Sequence, residues 1–515
     1  MPISLYRDKW TKLQYVQRPS PEELTRLSRQ IAHSFLDTYL KDCRYQKEYI
    51  TLLCEMTTCF QDQRLNIPGS QALFGIIIES LCDDFEELQT ITYNQVMSQV
   101  ISFCRKLPAG KRLDQQLDEF GIKTYEDLLQ RIQKIRGTGG QWPLDREIQK
   151  VLILSRVTIG ADVAVTSIIL QHVQTAFPKA EIVLIGRDKL RETFGAHESI
   201  TLREVPYSRN GGLLERLSSW HEVLDVIRDE TRDIPKGKAL LVDPDSRLSQ
   251  LGVLPLFPEE KYFFFDSRSD KAFASQLSMP ELANAWLAQC LGQDLFCYPR
   301  VWLAEKPRDT ASKIIQALRC EGAQRIVVVN FGYGGNPRKR VGPSFEVHML
   351  LALLQEPSTV VILDQGFGPE EAANTDALLQ RIKKSGYVVQ QNRFDQAAQG
   401  SPLSWGVLAL ETRIEEISSL ISYSDEFIGY DSACQHIAAA LEIPCITIFA
   451  GSNNMRFIRR WSAYGKSSSS IVHADTLNHP LGVDEQDIVT RAMHLRQSYT
   501  GKRSDPRDSG CKIPV

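Results

Sequence analysis

A chain of 515 residues is too long for one hydrophobic core and calls for about three domains. Apolar residues at 43% and charged residues at 24% are those of a globular protein, and a formal net charge of -3 argues against a nucleic-acid binder. No run approaches the roughly 18 apolar residues of a membrane-spanning helix, Met1–Lys12 lacks the apolar stretch of a signal peptide, and Cys54 and Cys59 lack zinc-knuckle spacing, so the expectation is a cytoplasmic protein with reduced thiols.

The first part of the chain, residues 1–140, reads as an all-α helical bundle. Ser20-Pro21-Glu22-Glu23 has the form of a capping box with proline at the first helical position. It opens an amphipathic run with Leu24, Leu27, Ile31, Phe35 and Leu36 on one stripe. Apolar runs follow at Tyr49–Phe60, Ala72–Leu88 and Tyr93–Leu107, and Thr124 with Asp127 starts a last short helix. The spacing predicts about five to six helices. Gly137-Thr138-Gly139-Gly140-Gln141-Trp142-Pro143 then breaks the pattern as a linker or domain edge.

Beyond it, short apolar runs alternate with amphipathic stretches. Val151–Leu154, Ile182–Ile185, Ala239–Val242 and Tyr262–Phe265 form one set. Ile326–Val329, Val360–Leu363, Tyr387–Val389, Glu426–Ile428 and Cys445–Phe449 form a second. Such runs, separated by helices, predict parallel strands buried on both faces. The α/β expectation is two doubly wound Rossmann-like lobes, 145–305 and 306–499, with ligands at the carboxyl ends of the strands between them. The polar tail over 500–515 is expected to be disordered.

Two segments carry chemistry-bearing residues at such strand ends. The first is Ser155-Arg156-Val157-Thr158-Ile159-Gly160-Ala161-Asp162, where Asp162 stands near a helix start. It suits either a capping role or a ligand-facing carboxylate. No GxGxxG motif accompanies it, so dinucleotide binding of the usual kind is not indicated. The second is Asp431-Ser432-Ala433-Cys434-Gln435-His436 leading into an Ala-rich helix. Asp431 and Ser432 would lie at a helix N-terminus, where free amides and the helix dipole favour a phosphate. His436, one turn in, could point back toward the same ligand, but alone it reads first as a structural histidine.

The pattern Asp431-Ser432-x-x-x-His436-x-Ala-Ala-Ala-Leu after a strand resembles the signature of family 9 glycosyltransferases, the lipopolysaccharide heptosyltransferase family. Asp162-Val163-Ala164-Val165-Thr166-Ser167 with Leu170, and Phe177-Pro178-Lys179-Ala180-Glu181-Ile182, resemble that family's first helix and its approach to the second strand. The resemblance spans roughly 150–497 and implies a GT-B architecture: an acceptor-side first lobe and a nucleotide-sugar-side second lobe. It implies Asp162 as the acceptor-activating base, Asp431, Ser432 and His436 as donor-binding residues, and Lys339 as the cation on the donor phosphates. Gly332 and Gly334 fall in the loop that precedes it. The sequence departs from the family pattern at Ala161, Ile168, Val341, Ala433 and Cys434.

The expected activity is therefore metal-independent sugar transfer, with no cofactor, from a nucleotide-sugar to a glycan, glycolipid or protein acceptor. Arg247 and Arg268, on loops after two first-lobe strands, are candidate acceptor contacts; an Asp-capped turn with a paired arginine fits these loops as well. The alternatives are a sugar-nucleotide epimerase and an inactive GT-B relative that binds a sugar nucleotide and serves as an interaction module. The helical region is left to an acceptor, a protein partner or peripheral membrane contact.

Overall fold

The computed structural model describes residues 3–500 apart from 16–18, 83–84, 138–141, 143–146, 209–210, 270–275, 367, 399–402 and 478–481, and without the side chains of 498–500. Of the tail expected over 500–515, Thr500 ends the helix Glu485–Thr500 and 501–515 lie outside the described residues, as does most of the Gly137–Pro143 linker.

The N-terminal region folds as helices Ile3–Gln14, Pro21–Asp42, Lys47–Met56, Gln63–Ser70, Glu87–Cys104, Lys111–Glu119 and Tyr125–Gly137. The two helix starts marked in the sequence differ in their capping. Ser20 stands at the N-cap of Pro21–Asp42, but its hydroxyl donates to Glu22 at 2.5 Å and accepts no amide, so no capping box forms. At Thr124 the cap does form: Asp127 N donates to Thr124 Oγ1 (3.2 Å), and the Asp127 carboxylate accepts from the Lys123 and Thr124 amides.

Two all-parallel sheets follow. The first is ordered β3-β2-β1-β4-β5, from β1 (Lys150–Leu154), β2 (Glu181–Gly186), β3 (Ile200–Glu204), β4 (Ala239–Asp243) and β5 (Tyr262–Phe264). The second is ordered β12-β11-β10-β6-β7-β9-β8. It comprises β6 (Arg325–Asn330), β7 (Thr359–Asp364), β8 (Val389–Arg393), β9 (Gly406–Glu411), β10 (Glu426–Tyr430), β11 (Cys445–Ala450) and β12 (Ser469–Ala474). Helices flank both sheets, giving the two Rossmann-like lobes of a GT-B fold behind a helical region. The strand expected at Tyr387–Val389 begins only at Val389, and β3, β9 and β12 were not anticipated from the sequence. β3 and β12 are edge strands with partly exposed residues, so they lack the continuous apolar run that marks a buried parallel strand.

The helical region is not a freestanding bundle. Successive side chains of a strand point to opposite faces, and β1 divides accordingly. Val151 and Ile153 join a core with the helices Ser167–Ala176 and Met279–Leu291. Leu152 and Leu154, with Val183, Ile185 and Leu241, join one continuous core with Trp10, Phe35, Leu53, Val96, Leu128 and Ile132 of the helical region. The N-terminal helices, together with Leu213–Thr231, thus supply the layer over one face of the first sheet. Arg131, 4% exposed, secures the seam by donating to the Gly252 carbonyl (2.6 Å) with its guanidinium 4.9 Å from the Tyr262 ring. Trp142, at the expected linker, is buried against Phe263 (ring centroids 4.7 Å) in the first lobe.

Candidate active site at the lobe interface

The loop after β1 builds a closed carboxylate site. Asp162, 2% exposed, accepts from Ser155 Oγ, Arg156 N and Thr166 Oγ1, each at 2.7 Å. Ser155 Oγ accepts in turn from Val157 N (2.7 Å), and Val157 holds a left-handed φ of 75°. That conformation is uncommon for a β-branched residue and costs on the order of 1–3 kcal/mol; it is held by the Ser155 hydrogen bond. Burial pushes the Asp162 carboxyl up to about 6, against the lowering effect of its three donors and of the Arg156 charge. Asp162 is therefore not the N-cap, which falls at Thr158.

In the second lobe, Ser432 is the N-cap of the helix Ala433–Ala440, as the sequence suggests. Its hydroxyl is buried and lacks a hydrogen-bond partner. Asp431 does not stand free: one carboxylate oxygen accepts from Lys339 Nζ and the other from Gln435 Nε2, both at 2.6 Å. Lys339 also reaches the Asp431 carbonyl (3.3 Å). The basic run Arg338–Arg340 is not simply a solvated surface stretch. Arg340 makes a two-pronged pair with buried Glu346 (2.7 and 2.8 Å), which also accepts from Tyr430 Oη. Only Arg338 of the three has an exposed side chain.

The two segments meet. A Cβ added at Gly160 would stand 3.0 Å from His436 Cδ2 and 3.1 Å from Ala433 Cα, so the β1 loop rests directly on the start of the second-lobe helix. Val163, one residue past Asp162, is buried in the core of the second lobe. His436 is 4% exposed with its ring edge-on to Trp461 (6.1 Å), and burial lowers its imidazole to about 4, so it is neutral at physiological pH. The Arg156 guanidinium lies 5.6 Å from the same Trp461 ring. Neither Arg156 nor Trp461 was marked by the sequence: a lone arginine and a lone tryptophan carry no spacing signal.

The loop carrying Arg247 takes the form of an Asp-capped turn, and Arg268 of the next loop pairs with its Asp245. Asp243 closes a turn by accepting from Ser246 N (2.7 Å) and from Tyr262 Oη, and burial pushes its carboxyl up to about 6. Asp245 accepts from Ser267 Oγ (2.6 Å) and lies 3.3 Å from Arg268 and 3.8 Å from Arg156. Arg268 is buried at 5% exposure beneath the helical region. Asp266 pairs with Arg136 of the last N-terminal helix (2.8 Å), which also holds Glu87 (3.0 Å).

Gly332 and Gly334 sit in the loop beyond β6 that leads to Lys339. Gly332 N donates to Asn330 Oδ1 (3.0 Å), and Asn330 binds Asp364 (2.5 Å), whose carboxyl burial pushes up to about 6. Gly334 adopts φ 61°, which glycine tolerates without strain. The helix Met455–Arg460 ties the lobe to the helical region: Arg456 donates to the Phe85 carbonyl (2.6 Å), and Phe85 packs on Trp461 (6.2 Å).

Residues 385–487 match the family model described as glycosyltransferase family 9 (heptosyltransferase). The matched residues lie within the second lobe. The matched segment contains Asp431, Ser432 and His436 but neither Asp162 nor Lys339. "Lipopolysaccharide heptosyltransferase 3" of Escherichia coli is 38% identical over 71 residues, 14% of this chain and 20% of that protein. The chain thus matches about a fifth of that relative's length. Solved structures it resembles include a family 9 glycosyl transferase from Veillonella parvula (TM-score 0.48, 14% identity, 69% of this chain and 98% of that one). An ADP-heptose lipopolysaccharide heptosyltransferase II from E. coli is similar at TM-score 0.46 and 14% identity, over 68% of this chain and 100% of that one.

Proposed function

We propose that the chain is a glycosyltransferase, moving a sugar from a nucleotide-sugar donor to a hydroxyl of a glycan, glycolipid or protein acceptor. The observation that carries this reading is the placement of the buried Asp162 turn directly against the helix that opens the family 9 motif. Asp162 would take the acceptor proton as the new bond forms at the anomeric carbon and the bond to the diphosphate oxygen breaks. A carboxyl near 6 is ionised at neutral pH yet basic enough for that task. The amides of the helix Ala433–Ala440 and the Lys339 ammonium would meet the charge on the departing nucleoside diphosphate. The transfer in this reading is metal-independent and uses no cofactor.

The test is release of ADP from ADP-heptose, the donor named with one similar structure, using a lipopolysaccharide core preparation as acceptor. Asp162→Asn is expected to lose about 10²- to 10⁴-fold in turnover; wild-type turnover in that variant would remove Asp162 from the mechanism.

A second reading, an inactive relative that binds a sugar nucleotide and recruits partners, is favoured by one observation. Lys339 and Asp431, both expected on the donor, are bonded to each other. Donor binding without turnover by the wild-type chain would favour it.

A further inference from the structure

Phe85 stands between the short turn Glu79–Leu81 and the helix Glu87–Cys104, yet it leaves the core that both share. It is 4% exposed and, alone among the described residues of the helical region, joins the other core of the first lobe, with Trp142, Ala164 and Val165. Its φ of 56° is a left-handed conformation that residues with a bulky side chain seldom adopt. Such strain persists where the surroundings fix it, and here the second lobe supplies them. Arg456, in the helix Met455–Arg460, donates to the Phe85 carbonyl (2.6 Å), and the Arg460 guanidinium lies 6.0 Å from the Phe85 ring. Arg460 also donates to the carbonyl of Leu277 (3.0 Å), which packs on the same core. Trp461, the C-cap of that helix, meets the Phe85 ring at 6.2 Å and carries the contact onward to His436 and Arg156.

We infer that Phe85 is a positioning residue, a wedge from the helical region that sets the angle at which the helix Ala433–Ala440 faces the Asp162 turn. Its catalytic meaning rests on the glycosyl-transfer reading; the mechanical coupling does not. The lobes already touch where Val163 enters the second-lobe core. One anchor leaves two bodies free to rock about it; Phe85, in a different core, is a second anchor and fixes their angle. Lys339, Ser432 and His436, the candidate donor contacts, all belong to the second lobe. Loss of the wedge should therefore spare donor binding and slow the transfer step, which needs Asp162 held in reach of the acceptor and donor together.

The test is hydrogen–deuterium exchange of the full chain, read at the Asp162 turn (158–166) and the helix Ala433–Ala440, with the helix Pro21–Asp42 as internal reference. Phe85→Ala should speed exchange about tenfold or more in both cleft segments and leave Pro21–Asp42 unchanged. Phe85→Leu should restore most of the protection, and Arg456→Gln should reproduce the effect more weakly. Leu27→Ala, a cavity within the helical core, should do the reverse and loosen Pro21–Asp42 alone. With ADP-heptose and a lipopolysaccharide core preparation, kcat of Phe85→Ala should fall about tenfold or more while the donor KM stays within about twofold. Cleft segments unchanged in Phe85→Ala, or in Arg456→Gln should Phe85→Ala not fold, overturn the inference. So do acceleration spread evenly over all segments, an equal opening of the cleft in Leu27→Ala, and an unchanged kcat in an opened Phe85→Ala. A wild-type chain without turnover would strike the glycosyl-transfer reading and leave the exchange result to decide the coupling.

Discussion

Lys339 Nζ lies 2.6 Å from a carboxylate oxygen of Asp431, joining the loop after β6 to the tip of β10 across a sequence separation of 92 residues. The Asp431 side chain is 7% exposed and Lys339 27%, so the pair is largely shielded from water. Removing one partner strands the other's charge, and Gln435 alone cannot replace the ammonium. Lys339→Met and Asp431→Asn are each expected to destabilise by about 1–3 kcal/mol, the partial exposure of Lys339 keeping the figure modest. In a denaturant-unfolding cycle the double variant should lose less than the sum of the two.

Asp162 gives a pH dependence of defined sign. Its carboxyl titrates near 6 in the folded chain against an ordinary value of 3.8, so between these values the native state holds more protons than the unfolded one. The stability this contributes is full below about pH 4 and is lost as pH rises through 6. Asp162→Asn removes the titration, and its amide can donate to Ser155 Oγ once that hydroxyl turns. Its stability relative to wild type should rise between pH 4 and 7 by about 1–3 kcal/mol and then level off. A difference flat across that range would show that burial does not raise the carboxyl. Wild-type kcat/KM should fall about tenfold per pH unit below 6, as the base is protonated.

Leu152 and Leu154 share a core with the N-terminal helices. Leu152→Ala should cost about 2–5 kcal/mol. A chain starting after Gly137 should fail to fold as a soluble body, because the first sheet would present Leu152, Leu154, Val183, Ile185 and Leu241 to water. A cooperative unfolding transition in that truncated chain would contradict the shared core.

Gly160 sets the distance between the lobes. Gly160→Leu places side-chain atoms where His436 and Ala433 already stand, and its helix-start backbone has no left-handed need for glycine. Overpacking of this kind costs about 1–3 kcal/mol. The variant should part the lobes, seen as a red-shifted emission from Trp461, whose ring touches both His436 and Arg156; other tryptophans replaced by Phe make that reading specific.

The order of the fold was largely legible, because buried parallel strands such as Val151–Leu154 and Val360–Leu363 must be continuous apolar runs. Edge strands such as Ser469–Ala474 need not be, and were missed. The donor-side motif was legible for the same local reason: a strand, a polar tip and a small-residue helix lie within one stretch of chain. Arg156, Trp461 and Phe85 were not, because their roles arise from contacts between distant segments. The helices' amphipathic stripes likewise announced a buried face without saying that β1 and β2 would cover it.

The account stands most directly on the donor loop, and thermal unfolding with ADP and ADP-heptose reads it without knowledge of the acceptor. A ligand of the folded state at about 100 times its Kd adds about 2.7 kcal/mol of stability. The prediction is an upward shift for the wild type and for Asp162→Asn alike, with the shift lost in Lys339→Met. No shift with ADP, ADP-heptose or the uridine, guanosine and cytidine counterparts, or an equal shift in Lys339→Met, would contradict it.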